Sequence, residues 1–196
     1  MLKRIFDLLL SFIVLLITLP FYPLIAFAIK FDSKGPIFYT QIRVGLNHSQ
    51  FNIIKFRTMT HTHSFNSAIT IKNDPRITSF GKLLRRYKVD EWPTVFNVLK
   101  SEMSFVGPRP EAPNYVSLYT EEQQKVLGVK PGITDPATIT YNNEAELLYN
   151  TNDYEDTYIK KIMPRKLILN SEYIETQTLI TDVKIIFKTI LLIIKF

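Results

Sequence analysis

The sequence predicts an α+β domain that is mainly helical and is attached to a membrane. Three observations support this class: a nearly continuous apolar segment near the start, two short stretches rich in β-branched and aromatic residues after it, and helical periodicity in much of the remainder. A chain of 196 residues is long enough for one domain with a real core. We therefore expect an apolar helix, a small β-hairpin and several amphipathic helices in that order.

The apolar segment runs from Phe6 to Ile29, and Asp7 is its only charge. As a straight helix it would reach about 36 Å, enough to cross the hydrocarbon core of a bilayer. Pro20 and Pro23 lie near its middle, where each removes a backbone donor and bends a helix. Cations also flank both ends, which gives no clear direction across the membrane. The sequence is equally compatible with two arrangements. The helix crosses the membrane once, or it enters one leaflet and returns to the same side.

Two short strands are predicted over residues 36–45 and 51–59, because both stretches are rich in β-branched and aromatic residues. A polar loop follows over residues 61–74. It contains His61 and His63, but a metal pair is not expected there because no third ligand is in view. Residues 104–113 and 129–136 are rich in proline and glycine and are read as two further loops.

Two helices are predicted between the loops. Residues 78–88 have a Thr or Ser cap and apolar side chains at helical spacing. Asp90 then opens a second helix, since Pro93 is tolerated only in a first turn. Residues 142–175 are helical in pattern but polar. The last stretch, residues 179–196, places its lysines near one face and is expected to lie in the membrane interface, with a buried core helix as the alternative.

Charge is unevenly distributed along the chain. The formal net charge is +6, with +9 in residues 1–100 and −3 in residues 101–196. A basic half beside an apolar segment favours an anionic partner such as lipid headgroups, nucleotides or phosphorylated substrates. A nucleic-acid partner is not expected, because apolar helix positions interrupt the cations. The absence of cysteine excludes disulfides, thiolate metal sites and a cysteine nucleophile.

The adjacent acids Asp90 and Glu91 follow a cationic run and are the candidate catalytic pair. A structural role is the alternative, with Asp90 capping its helix and Glu91 in the first turn. Neighbouring helical side chains project about 100° apart, so the two acids suit different tasks, one as nucleophile or base and one as ligand of a hard cation. Mg²⁺ favours one or two carboxylates together with substrate phosphates.

Four cations could accompany the acid pair. Arg85 lies one helical turn before it, and Arg109 stands between Pro108 and Pro110; both could neutralise phosphoryl oxygens. Lys55 and Arg57 alternate in sequence and are expected to share one strand face. Carboxylates and cations together are typical of phosphoryl transfer, where positioning and charge neutralisation carry most of the catalysis.

Four stretches occur in order between Lys3 and about Thr134: the apolar segment with its cations, "IKFRTM", "DPRITSFGKLLRRYKVDEWPTVFNVLKSEMSFVGPRPE" and "VKPGIT". Together they resemble the small monotopic phosphoglycosyl transferases of the bacterial sugar transferase family. The stretch "DEWPTVFNVLKSEMSFVGPRPE" is the most specific part of the resemblance.

The resemblance implies that Asp90 attacks a UDP-sugar, releases UMP and carries a sugar-phosphoryl group to a polyprenyl phosphate, undecaprenyl phosphate by analogy. This would be the first membrane step of surface glycan synthesis. Glu91 would hold Mg²⁺, and basic positions of the family motifs match this chain. Implied substrate-binding residues are Lys55, Arg57, Arg85, Pro108, Arg109 and Pro110.

The resemblance also implies a place in the cell, the inner membrane of a bacterium. Residues 1–31 would form a re-entrant membrane helix bent at Pro20, with both ends in the cytoplasm. Residues 32–196 would form the cytoplasmic catalytic domain with a membrane-associated C-terminal helix. No long N-terminal extension is present, so a minimal catalytic unit is expected. A homodimer is left open.

Three features stay unassigned or open. After "GIT" many relatives continue with a glycine, tryptophan and glutamine pattern, whereas this chain has "DPATITYNNEAELL", so the sugar and the glycan pathway cannot be read. Asn170 stands where several relatives carry an aspartate, and it is given no role. A non-catalytic, membrane-anchored scaffold that binds anionic lipid or a protein is the alternative function; it explains the charge asymmetry but not the acid pair.

Overall fold

The computed structural model describes residues 1–60 and 69–195. Its strands are β1 (Phe38–Val44), β2 (Gln50–Phe56), β3 (Ser104–Val106) and β4 (Gly132–Thr134). Its helices are α1 (Leu2–Thr18), α2 (Tyr22–Asp32), α3 (Ser79–Arg86), α4 (Val95–Leu99), α5 (Pro113–Val116), α6 (Glu121–Gln124), α7 (Pro136–Thr140), α8 (Glu144–Tyr149), α9 (Tyr154–Thr157), α10 (Met163–Thr176) and α11 (Leu179–Ile194). The mainly helical α+β class is confirmed. His61 and His63 lie outside the described residues.

The predicted hairpin is confirmed with shorter bounds. Strands β1 and β2 pair antiparallel, with Phe38 opposite Phe56 and Val44 opposite Gln50. Aromatic and β-branched side chains of this kind pack well on a pleated surface, which is why the sequence signal was clear. Helices α1 and α2 and the acid pair all pack against this hairpin.

The two stretches read as loops instead form a short parallel pair, β3 with β4, in which Ser104 lies opposite Gly132. The loop prediction was wrong here because three-residue strands show no periodicity and their pairing is non-local. Position 132 requires glycine where the two strands pair, because a Cβ there would lie 2.2 Å from the backbone nitrogen of Gly107. The pair brings the loop after β3 close to the loop after β4.

The N-terminal apolar segment is helical throughout. A 3₁₀ turn, Leu19–Phe21, separates α1 from α2 and contains Pro20, and Pro23 lies in the first turn of α2. The α-helix is therefore interrupted at Pro20 by a 3₁₀ turn, and the re-entrant bend there stays a prediction. Residues Leu2–Asp32 form one helical stretch of 31 residues that contains an 18-residue window with a mean hydropathy of 2.5, so by length and composition it is able to cross a membrane.

Both ends of this stretch pack on the same domain. Near its start, the buried Asp7 accepts hydrogen bonds at Oδ1 from the Ser104 hydroxyl (3.0 Å) and the Phe105 backbone nitrogen (3.1 Å). Lys3 also pairs with the buried Asp182 at the start of α11. Near its end, α2 packs on β2 and α3 through an apolar cluster of Tyr22, Ile25, Ile29, Phe56 and Leu84.

The middle of the chain follows the prediction in part. Helix α3 begins as expected, with the Thr78 hydroxyl accepting a hydrogen bond from the Gly81 nitrogen at 3.0 Å. The expected α-helix from Asp90 is instead a 3₁₀ turn, Val89–Thr94, followed by α4. The chain enters this turn from Lys88, which has a φ of +55°, and the Glu91 nitrogen donates to the Lys88 carbonyl three residues earlier, so the segment begins with 3₁₀ hydrogen bonding. We call Val89–Thr94 the acid turn.

Helix α11 has an exposed apolar face. Within this helix, which the structure describes in full, Asp182 alone is buried. Its large exposed apolar side chains are Ile180, Val183, Phe187, Ile190, Leu191 and Ile194. The alternative of a buried core helix is therefore wrong, and the exposed face is of the kind that a membrane interface covers.

The acid turn and α4 are joined to the open edge of β2. Asn97, which has 0% exposed surface, accepts from the Ile54 nitrogen at 3.1 Å and donates to the Asn52 carbonyl at 2.7 Å. The Thr94 hydroxyl donates to the Ile54 carbonyl at 3.0 Å. These side chains take the place of a further strand, because a strand edge presents backbone groups that must be paired when buried.

Replacing Asn97 by alanine should destabilise the fold. The change leaves buried backbone groups of β2 unpaired, at a cost of about 1–3 kcal/mol each. The thermal unfolding midpoint of the detergent-solubilised protein should fall clearly below that of wild type. The control is Asn52→Ala, which removes an exposed side chain from the same strand. Equal midpoints for the two variants would contradict the assigned role of Asn97.

Candidate active site

Charged side chains from four parts of the fold meet in one cleft. Lys55 comes from β2, Arg85 from α3, Asp90 and Glu91 from the acid turn, and Arg109 from the loop after β3, and all five line the cleft. The acid turn lies against β2 through the contacts of Thr94 and Asn97 described above. The structure thus brings together both candidate acids and the candidate cations; Arg57 also lines the cleft, but its guanidinium is engaged at the end of α2.

Glu91 is the centre of this cluster. Its Oε1 accepts from Lys55 Nζ at 2.7 Å and from Arg109 Nη2 at 2.6 Å. Burial acts to raise the pKa of the Glu91 carboxyl, but the charges of Arg109 and Lys55 hold that pKa well below its usual range. Glu91 is therefore ionised at neutral pH, and it joins β2 to the loop after β3.

Asp90 has a different environment from its neighbour. It is 8% exposed, and its buried Oδ1 has no hydrogen-bond partner among the described residues. Burial and then the charge of Glu91 raise the pKa of the Asp90 carboxyl, while Lys55, Lys88 and Arg85 act in the opposite direction.

A helix N-terminus would favour the ionised form of Asp90 through its free amides and its dipole. The acid turn is a 3₁₀ turn of six residues, so nearby cations and not a helix dipole provide the compensating charge. Asp90 therefore presents a poorly solvated carboxyl oxygen beside three positive side chains.

Arg85 and Arg57 have different surroundings. Arg85 Nε donates to the Thr58 hydroxyl at 2.8 Å, and its guanidinium lines the cleft with Asp90. Burial lowers the pKa of Arg85, and the charge of Asp90 opposes this shift. As predicted, Arg85 accompanies the acid pair.

Arg57 lines the same cleft as Lys55 and Glu91, but its guanidinium binds at the end of α2. Strand β2 ends at Phe56, and the buried Arg57 guanidinium donates to the carbonyls of Ser33, at 2.7 Å, and Lys34. These carbonyls follow the end of α2. Gly35 makes the approach feasible, because it has a φ of +131° and a Cβ there would lie 2.1 Å from Arg57 Nη1. Arg57 therefore holds the end of the membrane segment against the hairpin.

Each residue of the Pro108–Arg109–Pro110 element is held through its backbone. The Pro108 carbonyl accepts from the Gly132 nitrogen at 2.9 Å, and the Pro110 carbonyl accepts from Arg43 Nη1 at 3.2 Å. The Arg109 nitrogen donates to Asp135 Oδ2 at 3.0 Å. The Arg109 guanidinium thus projects toward Glu91 from a fixed loop.

Asp135 and Asn170 support this loop, and the sequence reading gave neither of them a role. Asp135 is fully buried and accepts from the Arg109 nitrogen, from Asn170 Nδ2 at 3.0 Å and from the Thr138 nitrogen. An aspartate directly before Pro136 is a recognisable N-cap signal. That signal predicts the cap of α7 but not the bond to Arg109, which depends on the β3–β4 pairing.

The donor set at the cleft fits the Mg²⁺ that the resemblance implies. Within the described ranges, no group of three or more His, Cys, Asp or Glu side chains is placed to hold a metal ion. Asp90 and Glu91 supply two carboxylates, one with a free oxygen. Mg²⁺ in phosphate-handling sites is held by one or two carboxylates and completes its shell with phosphate oxygens and water. Mg²⁺ itself stays a prediction.

Comparison with known proteins places the chain in a family. A model of the family described as bacterial sugar transferase matches residues 1–196. The chain belongs to the bacterial sugar transferase family. The resemblance noted from the sequence motifs is confirmed, and the acid turn and the Pro108–Arg109–Pro110 element of this bacterial sugar transferase lie together in the structure.

Three relatives show what the sugar transferase is similar to. The undecaprenyl-phosphate glucose phosphotransferase of Komagataeibacter xylinus is 40% identical over 196 residues, with 96% of this chain and 35% of the relative covered. The UDP-glucose:undecaprenyl-phosphate glucose-1-phosphate transferase of Klebsiella pneumoniae is 35% identical over 193 residues (96% and 39% covered). The UDP-N-acetylgalactosamine-undecaprenyl-phosphate N-acetylgalactosaminephosphotransferase of Aeromonas hydrophila is 35% identical over 192 residues (96% and 42% covered).

The chain therefore spans 35–42% of the length of these relatives. Their names specify different sugars at the same 35% identity, glucose for one and N-acetylgalactosamine for another. Overall identity is thus no guide to the sugar, in agreement with the sequence analysis.

Asp135→Asn should weaken the sugar transferase activity expected of the family. Asparagine keeps the size but offers one acceptor oxygen where Asp135 accepts three N–H donors, so the Arg109 loop should shift. A displacement of about 1 Å at a reacting centre costs about 100-fold in rate. The control is Asp153→Asn, an exposed aspartate that caps α9 in the same manner. Equal turnover by the two variants would show that the Asp135 contact does not position Arg109.

Proposed function

We propose that the chain transfers a sugar-1-phosphate from a UDP-sugar to a polyprenyl phosphate, undecaprenyl phosphate in the first instance, as the first membrane step of surface glycan synthesis. The names of the three relatives support these substrates, because all three specify undecaprenyl phosphate and two specify a UDP-sugar. The observation that carries the proposal is the buried Asp90 carboxyl, with one free oxygen, in a cleft lined by Lys55, Arg85 and Arg109.

In the first half of the reaction, an Asp90 oxygen attacks the β-phosphorus of the UDP-sugar. A new phosphorus–oxygen bond forms, the bond to the bridging oxygen breaks, and UMP leaves with that electron pair. The sugar-phosphoryl group is then attached to Asp90. Burial removes water from the carboxyl, which suits a nucleophile, and the surrounding cations neutralise the charge on the diphosphate.

In the second half, a phosphate oxygen of the polyprenyl phosphate attacks the same phosphorus. The bond to Asp90 breaks, the carboxylate is restored, and the product is a polyprenyl diphosphate sugar. A covalent intermediate lets one cleft treat a water-soluble and a lipid substrate in turn. This division of the reaction suits a site whose domain carries exposed apolar helices.

Glu91 differs from Asp90 in that one of its carboxyl oxygens, Oε1, accepts from two cations. Lys55 and Arg109 hold its carboxylate in place, and Glu91 would hold Mg²⁺ together with the substrate phosphates. When bound, the metal would supply positive charge to the diphosphate and the leaving phosphate. Arg85 would bind a phosphoryl oxygen from the α3 side of the cleft.

The same proposal includes a topology. Residues 1–31 would form a re-entrant helix in the bacterial inner membrane, and residues 32–196 would form a catalytic domain on the cytoplasmic face. Its support is that both ends of the helical stretch pack on one domain, through Asp7 near the start and Arg57 near the end. A straight span would carry one of these ends to the opposite side of the bilayer.

Asp90 should become covalently modified when the protein is incubated with its UDP-sugar and Mg²⁺ in the absence of polyprenyl phosphate. We expect UMP release, a gain in intact mass equal to the sugar phosphate, and a peptide map that places it on Asp90. Asp90→Asn should abolish the adduct because an amide is a poor nucleophile. Glu91→Gln, the matched neighbour, should slow its formation without moving it.

Four outcomes of this experiment would contradict the proposal in different ways. An adduct on Glu91 would show that Glu91, and not Asp90, is the nucleophile. Full adduct formation in excess chelator would show that the reaction does not need Mg²⁺. UMP release that requires both substrates would exclude the two-step mechanism. A non-catalytic scaffold would release no UMP from any UDP-sugar.

Single cysteines in this cysteine-free chain should report the topology. Leu2→Cys and Lys34→Cys, both at exposed positions, should be protected from an impermeant thiol reagent in spheroplasts and labelled after permeabilisation. Lys125→Cys, an exposed position of the domain, is the control and should behave in the same way. Labelling of position 2 alone from outside would establish a single span.

A further inference from the structure

Beyond Arg109 the cleft continues along a wall of charged and aromatic side chains that the mechanism above does not use. Glu144 of α8, Lys166 of α10 and Tyr158 line this part, and they belong to the same cleft as Asp90 and Glu91. All three residues lie in the part of the chain, residues 135–175, to which the sequence reading assigned no chemistry. We call Glu144, Lys166 and Tyr158 the polar wall.

The polar wall is held together by short contacts. Lys166 Nζ donates to Glu144 Oε2 at 2.8 Å and lies 5.3 Å from the centre of the Tyr158 ring. The Tyr158 hydroxyl donates to Glu111, whose other carboxyl oxygen lies 3.7 Å from Arg43 Nη1. Arg43 Nη1 in turn donates to the carbonyl of Pro110, next to Arg109. The wall is thus fixed to the loop that presents Arg109.

Charge interactions also connect the polar wall to the acid pair. Glu91 raises the pKa of the Arg109 guanidinium most strongly, burial opposes the rise, and Asp135 and Glu144 add to it. Arg109 therefore lies within the electrostatic range of Glu91 and of Glu144. A diphosphate held at Lys55, Arg85 and Arg109 would extend toward the wall on the Arg109 side.

The unequal exposure of Glu144 and Lys166 suggests that Glu144 binds a ligand. The Lys166 side chain is 9% exposed, whereas that of Glu144 is 29% exposed. A buried ion pair is weak evidence for stability, because the cost of removing both charges from water offsets most of their attraction. Glu144 keeps part of its surface open to the cleft, so it can accept further hydrogen bonds while Lys166 holds it in place.

The chemistry of the polar wall matches a hydroxylated ring. A carboxylate accepts from hydroxyl groups, and an ammonium group donates to hydroxyl oxygens. Both ends of a nucleoside diphosphate sugar carry such a ring, the ribose at one end and the transferred sugar at the other. The ring that lies beyond Arg109, whether ribose or transferred sugar, would contact the polar wall.

From this geometry we infer that Glu144 and Lys166 form a subsite that binds the hydroxyl groups of a sugar ring of the nucleotide substrate. The inference rests on the proposed function, because it takes the diphosphate to lie at Arg109. It assigns substrate recognition to α8 and α10, and it makes Glu144 the residue that faces the hydroxyls and Lys166 the residue that orients it.

Glu144→Gln and Lys166→Met test this inference against a matched control, Glu146→Gln. Glu146 lies on the same helix and forms an exposed ion pair with Lys72. The KM for the nucleotide sugar should rise about tenfold in both test variants, the expected effect of losing one charged hydrogen bond. Their kcat and their KM for polyprenyl phosphate should change little, whatever stability is lost with the ion pair, and the control should match wild type.

Two further measurements distinguish the rings. If the ribose binds here, the inhibition constant of UMP rises by the same factor as the KM, and the preference between donors is unchanged. If the transferred sugar binds here, the UMP constant is unchanged, and the kcat/KM ratio of UDP-glucose to UDP-N-acetylgalactosamine changes. Either result supports the subsite.

An unchanged KM with a lower kcat and a lower unfolding midpoint would overturn the inference and leave the pair as a structural contact. Calorimetric titration with UDP-sugar separates this failure from failure of the proposed function. If wild type binds UDP-sugar but no adduct forms on Asp90, the mechanism fails, and weaker binding by Glu144→Gln still supports the subsite. If wild type and Glu144→Gln bind UDP-sugar equally, the subsite inference is wrong, whether or not the proposed mechanism holds.

Discussion

The arrangement of the cleft depends on one partly buried carboxylate, that of Glu91, which is shared by Lys55 and Arg109. Lys55 is near the end of the hairpin, Glu91 is on the acid turn, and Arg109 is on the loop after β3, so this contact joins three separate parts of the fold. Removing one partner of a buried ion pair leaves an uncompensated charge and typically costs 3–5 kcal/mol. The same contact leaves Asp90 as the acid with a free oxygen, and this difference in surroundings is the basis for assigning the two acids different roles.

Neutral side chains and a second carboxylate hold this centre in place. Asn97 and Thr94 pair the open edge of β2 and so fix the acid turn against Lys55. Asp135 fixes the backbone of Arg109 from the opposite side. Preorganised charge is effective in catalysis only if its supports do not move as charge develops. The supporting residues are more deeply buried than the charged groups that they position, as expected for a rigid frame around an open cleft.

The membrane segment is tied to the same frame. Asp7 near its start binds the backbone of β3, and Arg57 binds the carbonyls that follow its end. Arg57 stands two residues after Lys55, and Asp7 contacts the strand that leads into Arg109, so the depth of the segment in a bilayer and the position of the cleft are coupled. If the proposed lipid phosphate is restricted to the headgroup plane, its transfer would require such a fixed height. The exposed apolar face of α11 supports membrane association of the same domain.

The sequence by itself determined the elements whose signals are local: the apolar helix with its break at Pro20, the hairpin, the Thr78 cap of α3 and the acid pair within a highly specific motif. The tertiary structure decided what depends on distant residues meeting. The β3–β4 pair is too short to show periodicity, and it places Asp135 beneath Arg109. Arg57 turns to the end of α2 and away from Lys55, because buried carbonyls there need donors. Asn170 and Glu144 looked ordinary in a polar helical stretch, and their contacts exist only because α8 and α10 fold back beside the Arg109 loop.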